Sequence, residues 1–404
     1  MNYNFDEIIN RRGTGCVKWD EEVSHPASNS SPAGDKGANE IIPLWVADMD
    51  FKAAPAIQEA IHKRVAHGVF GYTIVQAPYY DSVISWFSRR HHWTIERNWI
   101  QYITGVVPAL SVIVKAFTQP GDKVVLQTPV YNCFFSSVRN NGCEIVENAL
   151  IAREHEGMHY FEMDYDDLQQ KVADPRVKLL ILCNPHNPVG RVWSREELAR
   201  VYNICIENGV IVVSDEIHNE LTFPNLLYTP YGTIDEGLKN AVICTSASKS
   251  FNIAGLQMAN IICAHADWRE KIDRAININE VCDVNPFGPV ATQAAYNESE
   301  DWINELRSYL YQNYQALCRF FTTELPQLKL THMEGTYLVW VDIRSTGLSS
   351  DALTQLLLQE GKVQVNSGTM YGAETGEGFI RINIACPRSL LMEGLRRIKQ
   401  VLNH

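Results

Sequence analysis

The sequence predicts an α/β protein with one large, mainly parallel sheet and a second, smaller α+β domain. Short apolar runs that read as buried strands alternate with helical segments from about Pro55 to Asp267, the pattern of helices packed around a parallel sheet. After Pro289 a long helical stretch replaces this alternation. At 404 residues the chain also exceeds the size that one compact core usually organises.

Five apolar runs predict the strands of the large sheet, at 124–126, 179–183, 210–213, 242–244 and 261–263. Between the second and third runs, Ser194 precedes a helical pattern, Glu197 completes a capping box, and Gly209 ends the pattern. A crossover helix is therefore expected there.

The second domain is predicted from a helix through Phe321, strands at 337–343 and 378–384, a helix at 351–360 and a closing helix. A segment rich in Ser, Pro and Gly at 24–39 predicts a flexible surface loop. We expect the following division of the chain: an N-terminal arm with part of the small domain at 1–48, the large domain at 49–288, and the small C-terminal domain at 289–404.

Composition excludes several classes of partner. The formal charge of −12 gives no general attraction for nucleic acid or an anionic membrane surface. The first twenty residues mix charges without an apolar run, and apolar runs such as 177–183 are too short to span a bilayer. The ten cysteines are scattered singly, which is typical of a reducing compartment. We expect a cytoplasmic protein whose ligand is a small molecule.

Lys249 follows one of the predicted buried strands, in the run Ser246-Ala-Ser248-Lys249. Desolvation lowers the pKa of a lysine and favours the neutral amine, which forms an imine with a carbonyl cofactor. The hydroxyls of Ser246 and Ser248, with nearby backbone amides, suit a phosphate. This segment alone leaves open a lysine that simply reaches water.

Two further motifs follow predicted strands. Asp215 ends the apolar run at 210–214, and open α/β sheets bind ligands at the carboxyl ends of their strands. A carboxylate there can pair with a protonated pyridine nitrogen. A metal site of Asp215, Glu216 and His218 is the alternative, but neighbouring strand residues point to opposite faces and no further ligand stands out, so no metal is expected.

The run Asn184-Pro-His-Asn187-Pro-Val-Gly190 fixes the backbone after another strand. By itself this run could be an elaborate turn. Its asparagine amide could equally donate a hydrogen bond to the phenolic oxygen of a cofactor.

The three motifs together, in this order and spacing, resemble those of fold type I pyridoxal-phosphate enzymes of the class I/II aminotransferase superfamily. The resemblance covers essentially the whole chain and implies the pyridoxal-phosphate-dependent transferase-like fold. Four further segments resemble the MalY/PatB-type branch of cystathionine β-lyases, which are cysteine-S-conjugate β-lyases: 43–51, 70–73, 105–110 and 248–257.

The resemblance implies a role for each motif. Lys249 would carry pyridoxal 5′-phosphate and shuttle protons, Asp215 would pair with the ring nitrogen, and Asn187 would contact the phenolic oxygen. Tyr131 matches the aromatic residue that stacks on the ring face. His218 belongs to the same cofactor-binding set, although many aminotransferases have a tyrosine at its position.

Phosphate capture is implied for the backbone of Val106 and Val107, before a predicted helix at 109–117, and for Ser246 and Ser248. Tyr72 matches the tyrosine that reaches the phosphate of the neighbouring subunit. A homodimer with shared active sites follows from that match.

Arg381 stands among apolar residues in a predicted strand, and it matches the arginine that binds the substrate carboxylate by a two-pronged pair. Trp45 and Ala47 match the segment that lines the substrate pocket. Many aminotransferases have an arginine where Gln257 stands; this departure and the one at His218 favour the lyase branch.

The leading hypothesis is β-elimination from cystathionine or a related L-cysteine S-conjugate, which yields a thiol, pyruvate and ammonia. The first alternative is a class I/II aminotransferase that uses the same Lys249 and Asp215. The second is a regulatory protein that uses this fold without catalysis.

Overall fold

The computed structural model describes residues 3–20, 40–234 and 238–403, and the loop predicted at 24–39 lies outside the described residues. The helices are α1 (Val17–Asp20), α2 (Pro55–Ala66), α3 (Ala77–His91), α4 (Val106–Phe117), α5 (Asn132–Arg139), α6 (Tyr165–Val172), α7 (Arg195–Glu207), α8 (Ala266–Ile278), α9 (Phe287–Glu298), α10 (Glu300–Glu324), α11 (Ser350–Gln359) and α12 (Arg388–Leu402). The strands are β1 (Ile42–Pro43), β2 (Ile100–Ile103), β3 (Lys123–Leu126), β4 (Glu144–Glu147), β5 (Ile151–His155), β6 (Met158–Glu162), β7 (Val177–Cys183), β8 (Ile211–Asp215), β9 (Ala241–Thr245), β10 (Ala259–Ile262), β11 (Lys329–Leu330), β12 (Leu338–Asp342), β13 (Val363–Gln364), β14 (Asn366–Ser367) and β15 (Phe379–Asn383).

The large sheet has seven strands in the order β2-β10-β9-β8-β7-β3-β4. Neighbours from β9 to β4 run parallel, whereas β10 runs antiparallel to both β9 and β2. All five predicted strands lie in this sheet. The sequence did not predict β2 or β4, because β4 is an edge strand with charged ends and a half-buried centre, and it lacks the apolar run of a central strand.

The crossover helix α7 forms as predicted between β7 and β8. The Ser194 hydroxyl accepts a hydrogen bond from the Glu197 amide at 3.2 Å, and the Glu197 carboxylate accepts one from the Ser194 amide at 2.8 Å. This capping box satisfies backbone donors that no helical carbonyl reaches. The crossover brings the strand ends together, so that Cys183 lies opposite Asp215.

Helix α4 begins earlier than predicted, at Val106 and not at Ala109. The Ala109 amide donates to the Gly105 carbonyl at 3.0 Å, which makes Val106 and Val107 part of the first turn. The apolar pattern alone does not reveal this start, because Pro108 interrupts it, although proline is tolerated in the first turn of a helix.

The small sheet is antiparallel, in the order β11-β12-β15-β14. The long helical stretch predicted before it divides at Ser299 into α9 and α10. Near the N-terminus, β1 pairs in parallel with β13, which ties the chain before Trp45 to the C-terminal part. The predicted domain limits remain a prediction. None of the described helices is long and apolar enough to cross a membrane.

Candidate active site

A cavity of about 230 Å³ opens where β7, β8 and β9 end. Nine of the residues predicted from the sequence line it: Ala47, Val106, Val107, Tyr131, Asn187, Asp215, His218, Ser248 and Lys249. Asn187, Asp215, His218, Ser248 and Lys249 are brought together because the parallel strands β7, β8 and β9 present their carboxyl ends at one edge of the sheet.

Lys249 reaches the cavity from the loop after β9. Its amine donates a hydrogen bond to the Ala47 carbonyl at 2.6 Å. Burial, and to a smaller extent the positive charge of Arg381, lower the pKa of Lys249 to about 8, although the charges of Asp48 and Asp215 oppose this change. A substantial fraction of the amine is therefore neutral near pH 8, as a nucleophilic lysine requires.

Asp215 is the last residue of β8 and is buried. Burial raises the pKa of its carboxyl to about 7, and the hydrogen bond from the Ile217 amide, at 3.1 Å, and the charge of Lys249 only partly offset this. Such a carboxyl ionises readily once a cationic group lies beside it, because the opposite charge favours the ionised form.

Arg381 does not line the cavity itself but contacts residues around it. Its guanidinium donates to the Asn187 side-chain oxygen at 3.2 Å and to the Trp45 carbonyl at 2.8 Å, and it lies 4.8 Å from the ring centre of Tyr371. Among the described residues no carboxylate pairs with it, and its buried Nε has no hydrogen-bond partner. A buried guanidinium without an acid suits the carboxylate of a ligand.

The first turn of α4 could hold an anion. Val106 and Val107 line the cavity and begin this helix, whose first N–H groups have no acceptor within the helix. Ser248 lies beside them. Ser246 does not line the cavity: its hydroxyl donates to the Met258 carbonyl at 2.7 Å and accepts from the Ser248 amide at 3.0 Å, so it orders the loop.

Two aromatic side chains complete the wall. Burial lowers the pKa of His218 to about 3, so its ring is neutral, and its Nδ1 has no partner among the described residues. Tyr131 immediately precedes α5, and burial raises the pKa of its hydroxyl far above the ordinary value. Both rings lie on the cavity.

Besides Arg381 and Ser246, two more predicted residues, Tyr72 and Trp45, lie outside the cavity lining. Tyr72 is fully exposed to solvent. The Trp45 indole donates to the Lys18 carbonyl at 3.2 Å, so only its backbone carbonyl meets Arg381.

Sequence reasoning missed several lining residues and one neighbour. The missed lining residues are Gly105, Pro108, Cys183, Ile217 and Ala254. Most of them lie within or beside the quoted motifs and carried no chemical signal of their own. The sequence predicts only that Tyr337 lies in a strand, whereas in the structure its hydroxyl donates to the Ala47 carbonyl at 3.0 Å. No sequence pattern identifies such a contact.

The metal alternative has no support in the described residues. There, no group of three or more His, Cys, Asp or Glu side chains is placed to hold a metal ion. Glu216 turns away from the cavity, accepting hydrogen bonds from the Tyr228 and Ser214 hydroxyls.

The comparisons identify the class of protein. The chain matches the family described as aminotransferase class I and II over residues 39–398. It belongs to this family, so the family and the fold class predicted from the motifs are confirmed.

Individual relatives are closer still. The chain is 42% identical to cystathionine β-lyase PatB of Bacillus subtilis, over 99% of this chain and 100% of the relative. It is 31% identical to protein MalY of Escherichia coli, over 97% of both chains. Cystalysin from Treponema denticola, whose crystal structure contains pyridoxal 5′-phosphate, superposes with a TM-score of 0.93 at 35% identity, over 100% of this chain and 99% of the other.

Proposed function

We propose that the chain is a pyridoxal-phosphate-dependent carbon–sulfur β-lyase that cleaves cystathionine or a related L-cysteine S-conjugate to a thiol, pyruvate and ammonia. The observation that carries the proposal is that Lys249 and Asp215 line the same cavity and that burial lowers the pKa of the lysine and raises the pKa of the acid. The 42% identity to a cystathionine β-lyase over nearly the whole chain supports the substrate class.

The cavity fits this cofactor. Lys249 would hold it covalently, Asp215 would face its ring nitrogen, and the first turn of α4 with Ser248 would take its phosphate. Asn187 and the neutral His218 would contact the phenolic oxygen, and Tyr131 would cover the ring face. When bound, the cofactor supplies an electron-poor ring into which negative charge from the substrate α-carbon delocalises.

The remaining steps belong to residues of the chain. Arg381 would bind the substrate carboxylate, because its guanidinium has no acidic partner among the described residues. Lys249, with its lowered pKa, would remove the α-proton and hold it at Nζ. Ala47, which lines the cavity, and Trp45, whose carbonyl accepts from Arg381, would border the substrate.

A second copy of the chain would complete the site. Tyr72 is fully exposed, in a strip where Val69 is 64%, Phe70 54% and Ile74 74% exposed. Such contiguous apolar exposure marks an interaction surface. We infer a homodimer in which Tyr72 reaches the phosphate site of the partner. The cysteines are all unpaired, which supports a cytoplasmic location.

The test supplies cystathionine to the cofactor-loaded protein with no keto acid and measures pyruvate and free thiol. We expect steady release from the wild type and a loss of at least about 10³-fold in Lys249→Ala, because that variant lacks both the attachment point and the base. Lys115→Ala is the matched control, since Lys115 is an exposed lysine of α4.

Two results would replace the lyase assignment. Turnover that requires an added keto acid would identify an aminotransferase, in which the proton returns to the cofactor. Release of neither product, together with a Lys249→Ala variant that keeps its full cellular role, would identify a regulatory protein.

A further inference from the structure

We propose that Tyr337 and Asn383 are positioning residues that hold the Ala47 carbonyl against the amine of Lys249. The inference rests on the proposed function, because it concerns the amine that moves the proton. The Ala47 carbonyl accepts two hydrogen bonds, from Lys249 Nζ at 2.6 Å and from the Tyr337 hydroxyl at 3.0 Å. Both donors therefore act on one backbone oxygen at the wall of the cavity.

Asn383 fixes the peptide groups on either side of that oxygen. Its amide donates to the Val46 carbonyl at 2.5 Å and to the Asp48 carbonyl at 2.7 Å. Its side-chain oxygen accepts from the Ala385 amide at 2.7 Å, and the side chain is fully buried. With both neighbouring carbonyls occupied by one rigid group, the Ala47 carbonyl is held toward Lys249.

Asn252 ties the same segment to the loop that carries the lysine. It lies three residues after Lys249 with φ of 55°, a conformation that asparagine tolerates better than most residues. Its side chain accepts from the Met49 amide at 3.0 Å and donates to the Met49 and Phe51 carbonyls at 2.9 Å. These bonds tie the segment that carries the acceptor to the loop that carries the amine.

This arrangement affects both forms of the amine. In the neutral amine, an N–H group fixed on Ala47 restricts the direction of the lone pair that takes the substrate proton. In the ammonium, the carbonyl stabilises the proton that has been gained. The titratable groups whose fields reach Lys249 are Arg381, Asp48, Asp215, Cys133 and His218. None of these is altered by removing the Tyr337 hydroxyl.

The test measures the pKa of Lys249 directly in the cofactor-free chain. Lysines are labelled with acetic anhydride across a pH series, and the extent of labelling at Lys249 is read by peptide mass spectrometry. In Tyr337→Phe the Ala47 carbonyl loses a donor that orients it, so it becomes a less well-placed acceptor for the ammonium of Lys249. We expect the pKa of Lys249 to fall by about one. Asn383→Leu should produce the same change.

Tyr314→Phe is the matched control, because Tyr314 also loses a buried hydroxyl, one that donates to the Thr331 carbonyl at 3.1 Å. It should leave the pKa of Lys249 unchanged. In the loaded enzyme, Tyr337→Phe should lower kcat about 10-fold with little change in KM, since the substrate contacts remain.

An unchanged or raised pKa of Lys249 in Tyr337→Phe, or an equal fall in Tyr314→Phe, would overturn the proposal. Tyr337→Phe keeps the buried ring, so it decides the question even if Asn383→Leu fails to fold. The labelling result does not depend on the substrate. If the wild type releases no pyruvate, the proposed function fails while the positioning of Lys249 is still tested.

Discussion

The two sheets position the candidate site residues in and around the cavity in different ways. In the large parallel sheet, Asp215 is the last residue of its strand, and Asn187 and Lys249 lie in loops shortly after theirs. In the small antiparallel sheet, Arg381 and Asn383 lie within β15 itself, two residues apart. Residues two apart on a strand share a face, and both side chains contact the backbone of the segment 45–48.

The difference shows where a sequence reveals function. Groups at strand ends are followed by turns, so they form compact motifs with unusual neighbours, as in Asn184-Pro-His-Asn187. Groups within a strand are separated by apolar residues of the opposite face, and they look like an ordinary strand. Asp215, at such a strand end, also has a pKa that burial raises, and shifted pKa values are typical of functional sites.

The largest expected effect concerns Asp215 at the strand end. Burial raises its pKa to about 7, so its favourable contribution is complete below the pKa of the unfolded chain, near 4, and is lost as the pH rises to about 7. As the pH rises from 4.5 to 7.5, the cofactor-free wild type should therefore lose about 3 kcal/mol of unfolding free energy that Asp215→Asn does not lose. Urea unfolding at the two pH values measures this difference.

Glu216 is present in both proteins, so the rise of its pKa to about 7 by burial is common to them; the charge of Asp215 adds only a smaller rise, which Asp215→Asn removes. Asp166→Asn, at an exposed acid of α6, is the control and should show no such difference from wild type. If the unfolding free energies of Asp215→Asn and wild type change equally with pH, the pKa of Asp215 is not raised by burial at the strand end. The comparison between the two sheets then fails.

A smaller effect is expected for Arg381 within the small sheet. Arg381→Lys keeps the charge but loses the two-pronged contact, which should raise KM for the amino acid about 30-fold with a lesser change in kcat. Steady-state kinetics with cystathionine measures it. Arg396→Lys, at a residue whose side chain is 58% exposed, should leave KM unchanged. An unaltered KM in Arg381→Lys would remove the small sheet from substrate binding.

The smallest effect separates stability from the site. Ser194→Ala removes the capping box of α7 and should cost about 1 kcal/mol of unfolding free energy, with kcat and KM unchanged. Urea unfolding measures the loss, and Ser136→Ala, at an exposed position within α5, is the control. A change in KM would mean that the crossover helix transmits strain to Asp215, which the geometry gives no reason to expect.

Much of the large sheet could be predicted because five of its seven strands are marked by a local apolar run. The apolar runs at 179–183 and 242–244 are long enough to be buried on both faces, and Ser194 with Glu197 marks a helix start. Strands β2 and β4 were missed because half-buried strands carry no such run. The start of α4 was misplaced because a first helical turn has few sequence signals.

The sequence by itself determined the family and the strand-end motifs, and it gave the proposed roles of Lys249 and Asp215, because these depend on residues close together in the chain. Only the tertiary structure decided that the Ala47 carbonyl meets Lys249 and Tyr337, residues about 200 and 290 positions away. It also decided that Ser246 orders a loop and does not line the cavity. A backbone carbonyl has the same identity at every residue, so its partners depend on packing and leave no trace in the sequence.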